Sequence, residues 1–188
     1  MACMASAAYG APADAPGTAP GGGARISELS FGVDSGFVGT PFTRGDPYSF
    51  GVRAGAWLSW APAMLSGVSV GAFAAAYGFR SLSDYFGPSR MWLASGSIGY
   101  SWPLVLYDGP NGISVTTLGG ELSFGYYQRV HEFLGTSSTG SRLFLEAAAR
   151  LTLVDGWFGS SIGCALLVPL ESQPLPLLEL GMRMGVWP

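Results

Sequence analysis

The feature that most constrains this chain is strict alternation of apolar and polar residues. Over residues 142–154, Leu143, Leu145, Ala147, Ala149, Leu151 and Leu153 alternate with a set containing Arg142, Glu146, Arg150 and Thr152. An extended strand sends successive side chains to opposite faces, so one face here is wholly apolar and the other carries all the charge. A helix would place Glu146 and Arg150 at i and i+4, where they can pair. It would also spread the apolar positions around its whole circumference, and six consecutive alternations argue against that. The C-terminal segment repeats the pattern, with Leu178, Leu180, Met182, Met184 and Val186 against Glu179, Gly181, Arg183, Gly185 and Trp187. Segments 48–60 and 91–102 show the same two-faced character.

Composition narrows what such strands can build. Only 11% of the 188 residues are charged, against roughly a quarter in soluble domains. Twenty-nine Gly and 13 Pro make the chain poor helix material. The net charge is -3 and Arg is the only strong base, which leaves no basic patch for neutralising phosphates, so nucleic acid is not an expected partner. Cys3 and Cys164 lie in a terminal tail and in an apolar stretch, without the spacing of a disulfide framework or a metal site. No cofactor is expected. Residues 1–24 are Ala, Pro and Gly with little to pack, and read as a disordered tail or the remnant of an export signal. Ala5-Ser6-Ala7 and Ala13-Asp14-Ala15 look like small-residue cleavage sites, although a basic start and a long apolar core are missing. Residues 25–188 form the ordered domain.

The alternation template predicts eight strands, at 25–34, 48–60, 67–79, 91–102, 113–128, 142–154, 157–170 and 177–187, closed as an antiparallel up-and-down transmembrane β-barrel. An even number places both termini at one end. Segments 35–47, 81–90 and 129–141 are longer and polar and read as loops, Asp155-Gly156 as a tight turn, and 103–112 as an unusually long link on the turn side. Whether such a barrel is soluble or membrane-spanning depends on which face looks outward. Tryptophan placement decides it: Trp60, Trp102, Trp157 and Trp187 fall near strand ends on the turn side, and Tyr48 and Trp92 near the opposite ends, as in two interfacial girdles. The uncharged run 54–79, with Gly67 and Gly71 in GxxxG spacing, offers a competing helical span weakened by Pro62.

On these residues the chain resembles the small eight-stranded outer-membrane barrels, the group of the OmpA transmembrane domain, OmpX and OmpW, over residues 25–187. Glu179, Gly181, Met184 and Val186 match in order the group's C-terminal assembly signal, while Trp187 is followed by Pro188 where the group ends on an aromatic residue. The resemblance implies a bacterial outer-membrane location, with lipid and the barrel-assembly machinery as partners.

Turned inward, the polar faces bring Glu28, Arg53, Glu121, Glu146, Arg150, Glu179 and Arg183 into a lumen narrow enough to force charge pairing. The same parity turns Trp57, Phe73, Tyr77, Leu93 and Leu167 inward as an apolar lumen pocket. The OmpW likeness implies passage of a small hydrophobic molecule, so the expected role is structural or small-solute passage. One alternative is surface interaction through the polar loops, 129–141 above all. The other is lipid chemistry at His131, near Glu132, Ser137, Ser138 and Ser141; their spacing matches no known constellation, and the chain is not expected to be an enzyme.

Overall fold

A computed structural model of the chain describes residues 29–39, 50–62, 67–80, 86–109, 112–133, 136–171 and 176–187. They form eight strands: β1 (Leu29–Gly39), β2 (Phe50–Trp60), β3 (Val68–Arg80), β4 (Phe86–Gly109), β5 (Gly112–Phe133), β6 (Thr136–Asp155), β7 (Phe158–Pro169) and β8 (Leu177–Val186). Each pairs antiparallel with the next, and β8 returns to pair with β1, so the sheet is a closed ring without a seam. The described residues of the run 54–79 therefore lie in strands β2 and β3 or in the link between them, and form no helix. Gly156, at φ 61°, makes the tight turn in which Asp155 pairs with Phe158. A side chain would strain that left-handed backbone.

The register fixes the barrel's geometry. Following paired residues from Leu29 to Trp60, Val70, Ile98, Leu122, Ala147, Leu166 and Leu178 returns to β1 at Gly39, ten residues beyond the start. With a rise of about 3.3 Å per residue and strands about 4.8 Å apart, eight strands with this stagger tilt by about 40° from the axis. The backbone cylinder is then about 8 Å in radius, filled by inward side chains.

Alternation gives this cylinder two unlike surfaces. Phe31, Val33, Phe37, Leu122, Leu145 and Ile162 point outward and are exposed, Leu122 to 63%. Asp34, Arg53, Glu146, Arg150 and Glu179 point inward and are buried. A barrel dissolved in water has the opposite arrangement. Between the levels of Leu29 and Gly39 the outward apolar band is about 25 Å tall along the axis, the height of an outer-membrane hydrocarbon core. Trp60 and Trp102 face outward at the end where β1 starts and β8 finishes, the terminus end, with Trp102 edge-on to Tyr100 and ring centroids 4.6 Å apart. Trp92 and the Phe37–Phe50 stack, 5.8 Å between centroids, face outward toward the other, loop end.

Several strands outrun their predicted limits. β1 continues to Gly39, through residues that read as loop. Residues 129–133 and 136–141 are the paired stem of the β5–β6 hairpin, with Val130 opposite Thr139, and 103–109 pair back toward Gly112 as the stem of the β4–β5 hairpin. Their Thr, Ser and Val residues suit a pleated backbone, and the ladder carries them on without hydrophobic alternation. The tail 1–24, Glu28 and Tyr48 lie outside the described residues.

Candidate functional site

The inward residues sort into layers. On β1, β6 and β8 in turn, an apolar residue nearest the loop end is followed by an acid and then by a polar or cationic group: Val38, Asp34, Ser30; Phe144, Glu146, Arg150; Leu177, Glu179, Arg183. Met91 and Leu93 on β4, Tyr127 on β5 and Leu167 on β7 complete the apolar layer, all buried.

Beneath it runs one chain of charges. Arg53 grips Asp34 with two nitrogens, Nε to Oδ1 at 2.8 Å and Nη2 to Oδ2 at 3.1 Å, and its Nη1 pairs with Glu179. The Tyr77 hydroxyl donates to the other oxygen of Glu179 at 2.9 Å. Arg183 bridges Asp34, at 3.1 Å, and Glu121, at 3.0 Å. Arg150 holds Glu121 at 3.1 Å and reaches Glu146 at 4.0 Å. The network thus crosses the lumen over β1, β2, β3, β5, β6 and β8. Register brings it about: Asp34 is the direct partner of Arg183, and Arg53 of Tyr77. Phe73 lies under two guanidinium groups, Arg53 at 5.6 Å and Arg183 at 5.3 Å from the ring centroid. An aromatic face attracts cations, and more strongly where water is excluded.

Of the predicted lumen charges, Arg53, Glu121, Glu146, Arg150, Glu179 and Arg183 meet in this network. Asp34 joins them unpredicted. It is the last residue of the first predicted strand and shares the parity of Ser30 and Gly32, which was the signal available. The five residues expected to line an apolar pocket all point inward and are buried within one apolar cluster. Trp57 and Phe73 carry the guanidinium groups, Tyr77 belongs to the charge network, and Leu93 and Leu167 belong to the apolar layer. A small cavity of about 40 Å³ lies toward the loop end, and of those five only Leu167 lines it, beside Met91, Tyr127, Arg129, Pro169, Glu171 and Leu177. It is the size of a water site, not of an organic solute.

Trp187 corrects a second expectation. It does not join an outer girdle but turns inward, 5.1 Å from Trp57 between ring centroids, because it continues the parity of Glu179 and Arg183. Trp157, in the β6–β7 turn, is 69% exposed at the terminus end. Within the C-terminal motif, Glu179 is the partner of Arg53, Met184 faces outward, and Val186 ends β8 opposite Phe31 and Phe158. Gly181 has a spatial reason: a Cβ there would stand 2.6 Å from Arg53 Nη2 and 3.1 Å from the Ser35 carbonyl oxygen. Gly181→Val is expected to cost about 1 to 3 kcal/mol by overpacking. Gly120→Val, where a Cβ meets nothing within 4 Å, should cost little, and urea titration of both variants in lipid vesicles compares them.

With a closed ring, an apolar exterior and a polar, filled interior in place, the architecture is decided. The fold is that of the small eight-stranded outer-membrane β-barrels. Neisserial surface protein A has a crystal structure to which this barrel is similar with a TM-score of 0.59, at 11% identity over 86% of this chain and 97% of that one. The attachment invasion locus protein Ail of Yersinia pestis aligns at 16% identity over 85% of this chain and 97% of its own, with a TM-score of 0.46. No family model matches the chain, and no curated protein matches it in sequence. The barrel therefore shares the fold of Neisserial surface protein A.

Proposed function

We propose that the protein resides in a bacterial outer membrane as a closed barrel with a structural role, a lipid-embedded scaffold and not an open pore. The observation that carries this reading is the filled lumen, with a continuous ion-pair chain under an apolar layer that includes Val38, Met91, Tyr127 and Phe144. The apolar belt and its aromatic borders support contact with lipid, and the C-terminal motif supports delivery by the barrel-assembly machinery. Passage of a small hydrophobic molecule is the weaker variant, since the cavity lined by described residues toward the loop end, about 40 Å³, admits no organic solute without rearrangement. Two measurements test the proposal. The folded protein should migrate differently in electrophoresis before and after boiling, with a β-type circular dichroism spectrum. In planar bilayers it should give no steady conductance, and a persistent open channel would overturn the closed-lumen reading.

One observation favours a second reading, interaction at the cell surface. The β5–β6 hairpin continues past the outward Tyr126 and Leu143 toward the loop end, and Thr136, Ser137, Ser138, Thr139 and Gly140 on it are exposed. Loops and hairpin tips on a rigid scaffold are where binding is commonly placed. Replacing residues 131–138 by an Asn-Gly turn is expected to leave the heat-dependent mobility intact. Loss of cell adherence on that change alone would select this reading. No catalysis is proposed; the side chain of His131 lies outside the described residues.

A further inference from the structure

The β4–β5 hairpin passes the Trp102 level at the terminus end and keeps going. Its ladder runs on to Gly109 opposite Gly112, with a register shift between Pro103 and Val105. β3 stops pairing with β4 at Tyr100, and one further bond, from the Ser101 N–H to the Gly67 carbonyl, ends the contact. Among the described residues, β4 beyond Ser101 thus has a free edge on that side. The stretch that follows is strongly apolar: Leu104, Val105 and Leu106 are 55%, 56% and 62% exposed. In the adjacent β6–β7 turn Trp157 and Phe158 are exposed as well.

We infer that this hairpin stem lies against the inner-leaflet phospholipids, at the level of headgroups and glycerol, as an interfacial anchor. The inference rests on the outer-membrane reading and extends it. Leu104 to Leu106 continue the outward apolar belt directly below Trp102 and carry no charge, so their surface joins the one already assigned to lipid. The edge left unpaired among the described residues sets the depth. Unpaired backbone groups are too costly in hydrocarbon, where nothing satisfies them, but are satisfied by water and headgroups in the interface. The apolar side chains therefore enter the leaflet while the edge stays wet, which is how amphipathic segments lie in an interface. Trp157 on the neighbouring turn belongs to the residue type that prefers this level. A partner strand added to the edge is disfavoured, since a proline and a bulge are the devices by which edges resist pairing.

The test uses the whole chain and two labelling sites. With Cys3→Ser, the native Cys164, outward on β7 within the belt, takes an environment-sensitive fluorophore; with Cys3→Ser, Cys164→Ser and Leu106→Cys, the hairpin takes it. Both proteins are folded into phosphatidylethanolamine–phosphatidylglycerol vesicles carrying nitroxides at the headgroup or deep in the acyl chain, and the heat-dependent mobility shift confirms folding. The expected result is a Leu106-site label quenched more by the headgroup nitroxide than by the deep one, with the reverse order at Cys164. A hairpin label quenched by neither nitroxide but open to aqueous iodide, while Cys164 is quenched, would overturn the anchor and leave the membrane reading standing. A blue-shifted hairpin label quenched by neither reagent would mean burial against protein and overturns it equally. If Cys164 is unquenched too, the membrane reading and the anchor fall together.

Discussion

Arg53→Ala is expected to be the most damaging single substitution in the barrel, lowering unfolding free energy by about 3 to 5 kcal/mol. The side chain is 1% exposed, and the carboxylates it holds, Asp34 and Glu179, are at 0%. Truncation leaves Asp34 with Arg183 alone and Glu179 with the Tyr77 hydroxyl, so the cost is that of buried charge left without compensation. Arg142 is the control: its side chain is 55% exposed and lies 3.6 Å from Glu171. Removing an exposed pair of this kind changes stability by less than about 1 kcal/mol. Urea unfolding of both variants in vesicles, followed by tryptophan fluorescence, makes the comparison, and similar losses would contradict a lumen held by this network. Replacing Arg53, Asp34 and Glu179 together by Met, Asn and Gln should recover much of the loss, because no buried charge is then orphaned.

The second large effect belongs to the opposite face. Leu122 is the midpoint of the register walk from Leu29 to Gly39 and so sits midway up the apolar belt. Leu122→Arg is expected to destabilise the barrel by about 2 to 4 kcal/mol, the cost of a cation at the midplane, which falls to about 0 to 1 near the interfaces. Leu106→Arg supplies the interfacial comparison in the same titration. Equal costs at the two positions would mean that depth in the bilayer does not set the penalty, and the belt would lose its meaning.

These variants also separate what the residue pattern told from what it concealed. Alternation identified strands wherever the chain has two unlike faces, an apolar exterior on one side and a polar lumen on the other. Leu143 to Leu153 against Glu146 and Arg150 is the clearest case. Beyond the belt the two faces of a strand no longer differ, alternation has no cause, and residues 129–133 and 136–141 read as loop though they pair as strand. Asp34 was overlooked as the last residue of predicted strand 25–34, at the border of the predicted loop. The pocket residues were correctly turned inward, but parity carries no information about height, and height separates Leu167 from the guanidinium groups that cover Phe73. Trp187 was placed by its nearness to a strand end when its own parity pointed to Trp57.

The pairing of β1 with β8 has a consequence for how the molecule comes to exist. Seven of the eight strand contacts join neighbours in sequence, whereas this one joins the extremities of the domain, Phe31 to Val186. Bringing such distant ends together carries the largest loop-closure entropy in the fold, and long-range pairing of this sort is slow. A sheet still open at β1 cannot wait inside hydrocarbon, because its two edges would be stripped of water with nothing to bond. On the proposed outer-membrane reading, insertion and ring closure are therefore expected to coincide. β8 brings to it Glu179 and Arg183, without which Arg53 and Asp34 lack half their partners, so the interior acquires its charge balance at the moment the wall is sealed.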